Sequence, residues 1–316
     1  MHSSSASTEP LLFLVGPTAS GKSDLALSLA PDLNADILSL DSMSVYLGMD
    51  LGTAKPDPSS RAAVPHHLLD LVTPDRPFSV ADYLATANDV LHRLALAGKR
   101  ALFVGGTVLY MKSLISGLFR SPASDSVLRR ALSERARRQG PAALHAELAS
   151  VDPLAASRVH PNDTRRIIRA LEVFSLTGEP ISSLQLQWAD PRRDRPHLIV
   201  APDWPRPLLY QLIDRRVLRM FELGLVDEVA SLLQRFGSLG PTASRALGYA
   251  EVLDHLAGRA SLPDTISLVQ THTRQFAKRQ LTWLRRFPEI HWVPMDPARP
   301  PDQAASLILP IFSQKL

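Results

Sequence analysis

A glycine-rich run near the start of the chain carries the clearest chemical signal. Residues 16–23 match G-x-x-x-x-G-K-[ST], the pattern of a phosphate-binding loop (P-loop). Its glycines let backbone N–H groups turn inward, and the N-terminus of a following helix adds partial positive charge. Lys22 adds a full charge, and the Ser23 hydroxyl can ligate Mg²⁺ between phosphates. An ordinary glycine turn is the alternative, but it leaves the lysine unexplained. The predicted phosphate-binding residues are Gly16, Pro17, Thr18, Ala19, Ser20, Gly21, Lys22 and Ser23.

The acidic partner that a P-loop ATPase or kinase needs is missing from its expected place. That partner usually ends a neighbouring strand, but the strand predicted at residues 101–104 runs into Gly105-Gly106-Thr107. Asp41 ends another predicted strand, at the sheet edge where parallel α/β folds bind ligands. We therefore predict Asp41 as a site residue and, with Ser23, as a Mg²⁺ ligand. A helix cap or a turn is the alternative role for Asp41.

Alternating strands and helices must position these residues. Short apolar runs alternate with amphipathic stretches through the first hundred residues, which indicates parallel βαβ units. Ser79 and Asp82 predict a capping box for a helix that starts at Val80. The predicted strands are residues 11–15, 37–40, 101–104, 197–201 and 290–294.

The predicted fold class is α/β. After Gly117 the sequence becomes helical and rich in arginine, with no strand before residue 197. We predict a P-loop NTPase-like parallel sheet core made of residues 1–119 and 197–316, with a helical insertion domain at 120–196.

Composition narrows the class of protein. In 316 residues, 45% are hydrophobic and 21% are charged, which is typical of a soluble globular protein. No apolar run is long enough to cross a bilayer and the N-terminus does not look like a signal peptide, so we expect a cytoplasmic location. The sequence has no cysteine, which excludes thiolate catalysis and cysteine-based zinc sites. A pI near 9.6 favours an anionic partner.

The basic residues are clustered. One helical run carries Arg129, Arg130, Arg135, Arg137 and Arg138, and a second carries Arg165, Arg166 and Arg169. Near the C-terminus, helical spacing predicts a basic stripe of Arg274, Lys278 and Arg285, and an aromatic core contact of Phe276, Trp283 and Phe287. Such charge runs can be solvated faces, and they can also be RNA-binding surfaces.

Several ordered blocks resemble one family, the tRNA dimethylallyltransferases. The first reads DSMSVYLGMDLGTAKP from Asp41 to Pro56. The resemblance covers about residues 11–290, and the absence of the cysteine-based zinc finger of eukaryotic relatives points to the bacterial type. The later blocks are residues 66–70 (HHLLD), 105–110 (GGTVLY), 160–163 (HPND) with 166 and 169–173, and 248–249 with 277–283.

The resemblance implies an activity and its participants. The P-loop would bind the diphosphate of dimethylallyl diphosphate, with Mg²⁺ as cofactor, which explains a P-loop without a Walker B carboxylate. Asp41 resembles the family's general base, and Thr107 resembles its threonine near the leaving group. With Lys22, these are the predicted catalytic residues. The implied reaction prenylates the exocyclic N6 amine of the adenosine 3′-adjacent to the anticodon in tRNA and releases diphosphate. We expect the enzyme to act as a monomer, without a membrane partner.

The predicted tRNA contacts combine the resemblance with the basic clusters. Within the family pattern, Ser44 replaces a glutamine, Leu47 an arginine and Val108 a glycine, so contacts made by those residues are in question. His66, His67 and Asp70 raise the idea of a metal site, but adjacent histidines point apart on a strand, which favours a structural role. The predicted tRNA-binding residues are Asp41, Ser42, Met43, Ser44, Arg129, Arg130, Arg165, Arg166, Arg169, Arg245, Gly248, Tyr249, Arg274 and Lys278.

Three other functions stay open on the residues alone. A P-loop phosphotransferase would transfer phosphate from ATP, although no Walker B residue is found. A prenyltransferase for free adenine nucleotides would keep Lys22 and Asp41 but would not need the basic insertion. A non-catalytic RNA-binding protein would not need the P-loop.

Overall fold

The computed structural model describes residues 9–117, 122, 125–185 and 195–313. The chain divides into two compact units. The core unit consists of Met1–Ile115 and Arg195–Leu316, and the second unit of Ser116–Asp194. The Arg195 N–H donates to the Ile115 carbonyl at 3.1 Å, so the chain leaves and re-enters the core unit at one place. The predicted boundaries lie at 119/120 and 196/197, a few residues further along the chain.

The core unit is built on a six-stranded parallel sheet with the order β3-β2-β4-β1-β5-β6. All five strands predicted from the sequence are present. The two-residue strand β3 was not identified as a sheet strand. The strands are β1 (Leu11–Val15), β2 (Ala35–Leu40), β3 (His66–His67), β4 (Arg100–Gly105), β5 (His197–Asp203) and β6 (Ile290–Pro294).

Helices surround this sheet and also make up the second unit. The core-unit helices are α1 (Lys22–Asp32), α2 (Pro58–Ala63), α3 (Val80–Leu96), α4 (Val108–Ser116), α10 (Arg206–Glu222), α11 (Leu225–Phe236), α12 (Tyr249–Leu256), α13 (Leu262–Leu284) and α14 (Pro301–Phe312). The second-unit helices are α5 (Ser126–Gln139), α6 (Pro141–Val151), α7 (Pro153–Arg158), α8 (Thr164–Thr177) and α9 (Ile181–Gln185).

Both faces of the sheet are buried, which explains the unbroken apolar run of β1. Successive side chains of a strand point to opposite faces. Leu12 and Leu14 pack with residues of α1 and α14, whereas Phe13 and Val15 pack with residues of α3 and α4. All four side chains are at most 1% exposed. Two apolar layers therefore fix β1 in the middle of the fold.

Local signals set the ends of the helices. The Ser79 side chain accepts the Asp82 N–H and the Asp82 side chain accepts the Ser79 N–H, which confirms the predicted capping box at the start of α3. Within the described ranges, no helix is both long and apolar enough to cross a membrane.

The strand order determines where the site lies. Since β4 lies between β1 and β2, the loops that follow these three parallel strands emerge side by side at one edge of the sheet. The loop after β1 is the P-loop, the loop after β2 begins with Asp41, and the loop after β4 contains Gly106 and Thr107.

Candidate active site

The P-loop has the backbone shape that its glycines predict. Ala19 and Gly21 have φ angles of 63° and 79°, in the left-handed region, and Gly21 caps the start of α1. The Trp204 indole N–H donates to the Ser20 carbonyl at 3.0 Å and supports the loop from outside. Ser20 is fully buried, and no hydrogen-bond partner for its hydroxyl is found in the described part of the chain. The loop can therefore present amides and a free hydroxyl to an anion.

Two cations lie at this loop. The Lys22 ammonium donates to the Pro17 carbonyl at 2.8 Å. Burial and, to a smaller extent, the Arg216 charge lower the pKa of Lys22 to about 7, whereas the Asp41 charge acts in the opposite direction. Burial also lowers the pKa of Arg216, and its Nε has no partner among the described residues. A bound polyanion would stabilise both cations. Arg216 was not among the site residues predicted from the sequence.

Backbone hydrogen bonds join the loops after β2 and β4. The Thr107 N–H donates to the Leu40 carbonyl at 3.1 Å, and the Ser42 N–H donates to the Thr107 hydroxyl oxygen at 3.1 Å. Gly105 must be a glycine, because a Cβ there would lie 2.2 Å from the Leu40 carbonyl oxygen. The structure thus brings together Asp41, predicted from its strand end, and Thr107, which the family resemblance implied.

Asp41 is partly exposed, and one of its carboxylate oxygens is held by a backbone N–H. Its Oδ1 accepts the Met43 N–H at 2.7 Å. The buried rings of Tyr83 and Tyr110 stack with centroids 3.8 Å apart, and the Tyr83 hydroxyl donates to the Ser39 carbonyl at 2.7 Å. Burial raises the pKa of both tyrosines, and the Asp41 charge contributes to each rise, so both hydroxyls stay protonated. This buried aromatic pair was not predicted from the sequence.

The oxygen donors at the site suit magnesium. Ser23 is exposed at the start of α1 and offers a hydroxyl, and Asp41 offers a carboxylate. Mg²⁺ prefers oxygen ligands and takes many of them from phosphates and water, so one or two protein oxygens are enough. No group of three or more His, Cys, Asp or Glu suited to a metal occurs within the described residues. The residues present therefore fit a Mg²⁺ ion held mainly by a phosphorylated ligand.

The three residues considered for another metal site have separate partners. His66 Nδ1 lies 2.7 Å from the Val64 carbonyl, and His67 Nε2 lies 2.9 Å from Asp36. Asp70 instead forms ion pairs with basic side chains of the same region. These contacts are structural.

Three residues predicted to contact RNA, Ser44, Gly248 and Tyr249, are buried in this structure. The Ser44 hydroxyl lies 2.7 Å from the Ser39 hydroxyl, and Ser44 is only 4% exposed. The Tyr249 side chain is fully buried, and its hydroxyl donates to Glu228 at 2.5 Å. Gly248 is buried as well. The hydroxyls of Ser44 and Tyr249 therefore have partners within the protein.

The C-terminal part of α13 carries an exposed basic and aromatic surface. Phe276 and Trp283 are exposed, so the predicted aromatic core contact is wrong for them, whereas Phe287 does pack against the core. The Arg286 guanidinium lies 4.9 Å from the Trp283 ring centroid. Arg274 pairs with Asp214 at 2.5 Å. An open groove of about 340 Å³ is lined by Gln275, Lys278, Arg279, Thr282 and Trp283.

The predicted arginines of the second unit differ in their surroundings. Arg129 and Arg169 both bind the carboxylate of Glu172, which is fully buried. Arg130, Arg165 and Arg166 are exposed on α5 and α8, and in the core unit Arg245 is exposed as well. The sequence alone did not separate these two groups.

Comparison with known proteins identifies the family. A family model described as IPP transferase matches residues 44–287. The chain belongs to this family. Among curated relatives, the tRNA dimethylallyltransferase of Geobacter sulfurreducens is 50% identical over 295 residues, covering 93% of this chain and 94% of the relative. That of Moorella thermoacetica is 45% identical over 306 residues, covering 95% and 94%.

Solved structures of IPP transferases are similar to this fold. The tRNA isopentenylpyrophosphate transferase of Bacillus halodurans is 35% identical with a TM-score of 0.69, covering 96% of this chain and 97% of that one. A eukaryotic dimethylallyltransferase acting on tRNA is 26% identical with a TM-score of 0.80, covering 95% and 77%. The expected P-loop NTPase-like α/β class and the resemblance of the blocks are thereby confirmed.

Proposed function

We propose that this IPP transferase moves the dimethylallyl group of dimethylallyl diphosphate to the exocyclic N6 amine of the adenosine 3′-adjacent to the anticodon of a tRNA. A C–N bond forms, the allylic C–O bond breaks, diphosphate leaves, and the amine loses a proton. The observation that carries this proposal is the convergence of Lys22, Asp41 and Thr107 on neighbouring loops at one sheet edge. Relatives named tRNA dimethylallyltransferase support the reaction.

The donor half of the site binds and stabilises the leaving group. The amides of residues 19–23 and the Lys22 ammonium receive the diphosphate, and the Arg216 Nε, which has no partner among the described residues, supplies a further donor. These groups stabilise the charge that grows on the diphosphate as the allylic carbon becomes positive. The Thr107 hydroxyl accepts the Ser42 amide and can donate its own hydrogen to the leaving oxygen. Mg²⁺, when bound, would neutralise part of the phosphate charge.

The acceptor half removes a proton from the amine. An exocyclic adenine amine is a poor nucleophile, because its lone pair is delocalised into the ring, so it needs a base within hydrogen-bond reach. Asp41 Oδ1 accepts the Met43 N–H, so we propose that the other carboxylate oxygen of Asp41 accepts the proton of the amine. Ser23 then remains as the protein ligand of Mg²⁺. The Tyr83–Tyr110 pair supports the assignment, because a site with little water protects an allylic cation from hydrolysis.

The RNA must bring its adenine to this edge out of the base stack. We propose that exposed basic side chains hold the phosphates and that Trp283, beside the α13 groove, contacts an unstacked base. We further propose that the reaction takes place in the cytoplasm, where tRNA is available, and that the enzyme acts as a monomer. The proposed phosphate contacts are Arg130, Arg165, Arg166, Arg245 and Lys278.

A direct assay tests the function. The protein is incubated with dimethylallyl diphosphate, Mg²⁺ and bulk tRNA, and digested nucleosides are analysed by mass for a prenylated adenosine. Asp41→Asn should lower kcat by about 10²- to 10⁴-fold with little change in tRNA affinity. The exposed Asp32→Asn, at the end of α1, serves as the matched control.

Two other results would redirect the assignment. Transfer of phosphate from ATP, without prenylation, would indicate a phosphotransferase. Prenylation of free adenine nucleotides in preference to tRNA would indicate the other class of prenyltransferase. Turnover of Asp41→Asn at the wild-type rate would remove Asp41 as the base.

A further inference from the structure

A side chain from far along the sequence joins two loops of the site. Gln280, on α13, is only 7% exposed. Its Oε1 accepts the Thr18 N–H at 3.0 Å, and its Nε2 donates to the Gly106 carbonyl at 3.1 Å. One amide thus bridges the P-loop after β1 and the turn after β4.

The fit around this amide is close. A Cβ on Gly106 would lie 2.0 Å from Gln280 Nε2 and 3.0 Å from the Gly16 carbonyl oxygen. Gly106 therefore has to be a glycine so that the P-loop, the turn and the amide can meet. The bridge also occupies the Thr18 N–H, so a phosphate in the loop has to bind the amides that follow it.

The chemistry of the bridge requires a neutral amide. It must accept from an N–H and donate to a carbonyl at the same time, which a carboxylate or an ammonium cannot do. A buried backbone N–H or carbonyl that loses its partner is costly, so both loops are held while the bridge is present. The bridge therefore maintains the separation between the P-loop and the turn that carries Thr107.

We propose that Gln280 is a positioning residue of the prenyl transfer. It fixes the diphosphate cradle against the Gly106–Thr107 turn, and it thereby sets the distance from the leaving group to Thr107. This inference rests on the proposed function for its catalytic meaning, but its effect on diphosphate binding does not require turnover.

Gln280→Glu gives the sharpest test. When the new glutamate is ionised, one of its oxygens still accepts the Thr18 N–H, but the other faces the Gly106 carbonyl and cannot donate to it. Protonated, it can again donate to that carbonyl and accept from Thr18. At pH 8 we expect kcat/KM for dimethylallyl diphosphate to fall about tenfold or more, and the Kd of inorganic diphosphate to rise by a similar factor. The ratio of variant to wild-type activity should recover as pH falls towards about 5.5, since a buried carboxyl group protonates readily.

The control and a second variant separate positioning from general damage. Gln234→Glu, exposed on α11, should keep the wild-type ratio at every pH. Gly106→Ala should push the same amide aside. The double variant with Gly106→Ala and Gln280→Ala should lower kcat/KM by a factor smaller than the product of the two single-variant factors. This double-mutant test applies even where Gln280→Glu fails to fold.

The outcomes are distinct. A Gln280→Glu activity ratio that is flat with pH, or single effects that multiply, would overturn the positioning role. An inactive wild type would refute the proposed function instead. In that case, an unchanged Kd for inorganic diphosphate in Gln280→Glu would still overturn the inference, and a weakened one would support it.

Discussion

Replacing Glu172 by glutamine removes a buried negative charge from the second unit. The Glu172 carboxylate is fully buried on α8 and binds the Arg129 Nε at 2.9 Å and the Arg169 Nη1 at 2.5 Å. It also accepts the Asp125 N–H at 2.8 Å. The glutamine keeps the shape and one acceptor oxygen but leaves two guanidinium groups without their shared counter-charge.

The expected loss follows from how exposed these groups are. Removing one partner of a buried ion pair costs about 3–5 kcal/mol, whereas an exposed pair is worth about 0–1 kcal/mol. The Arg129 and Arg169 side chains are 44% and 27% exposed, so water takes over part of their solvation. We therefore expect Glu172→Gln to lower the free energy of unfolding of the second unit by about 3 kcal/mol, at the low end of the buried range.

Hydrogen exchange measured by mass spectrometry localises the effect. Amides of α8 should exchange about a hundredfold faster in Glu172→Gln, and urea unfolding should report a matching loss of stability. Glu147→Gln is the control, because Glu147 and its partner Arg135 are each 38% exposed, and it should change α8 exchange by less than about fivefold. Equal effects of the two variants would refute the reasoning. Unchanged α8 protection would show that the ion pairs of Glu172 contribute little to the stability of this unit.

The other predictions concern the core unit. The pKa of Lys22 is about 7, and a bound anion restores its charged ammonium, so diphosphate binding should take up a proton above pH 7 but not below pH 6. Calorimetry in buffers of different ionisation enthalpy measures this proton uptake. Uptake that persists in Lys22→Met would contradict the prediction. Arg216→Met should weaken diphosphate binding by about ten- to a hundredfold without changing tRNA affinity, and equal losses for both ligands would argue against a diphosphate contact. Gly52→Ala should lower the free energy of unfolding, measured with urea, by about 1–3 kcal/mol. Its Cβ would lie 2.3 Å from the Tyr249 ring, and a hydrogen bond to Glu228 holds that ring in place. Wild-type stability would show that the ring can move.

Local signals in the sequence predict much of the fold. The apolar run of β1 and the capping box at Ser79 each depend on neighbouring residues, and both are found as predicted. Asp41 was predicted from its place after a strand, because the ends of parallel strands meet at one sheet edge, whereas Thr107 came from the family resemblance. The two-residue β3 has no apolar run of its own, so its pairing was not visible in the sequence.

Long-range pairings could not be predicted. Gln280 meets Thr18 and Gly106 across separations of 262 and 174 residues, and no local pattern distinguishes it from other glutamines. Periodicity likewise placed Phe276 and Trp283 on a helix stripe, but only tertiary packing decides whether a stripe is buried or exposed.

The contact between Trp204 and the P-loop gives the protein a built-in optical reporter. An indole that donates a hydrogen bond to the Ser20 carbonyl emits at a wavelength that depends on that bond and on nearby charge. When an anion enters the loop, this emission should change without any attached dye. Because the chain has four tryptophans, rapid-mixing fluorescence of a variant that keeps only Trp204 can follow the entry of the donor separately from the arrival of the RNA.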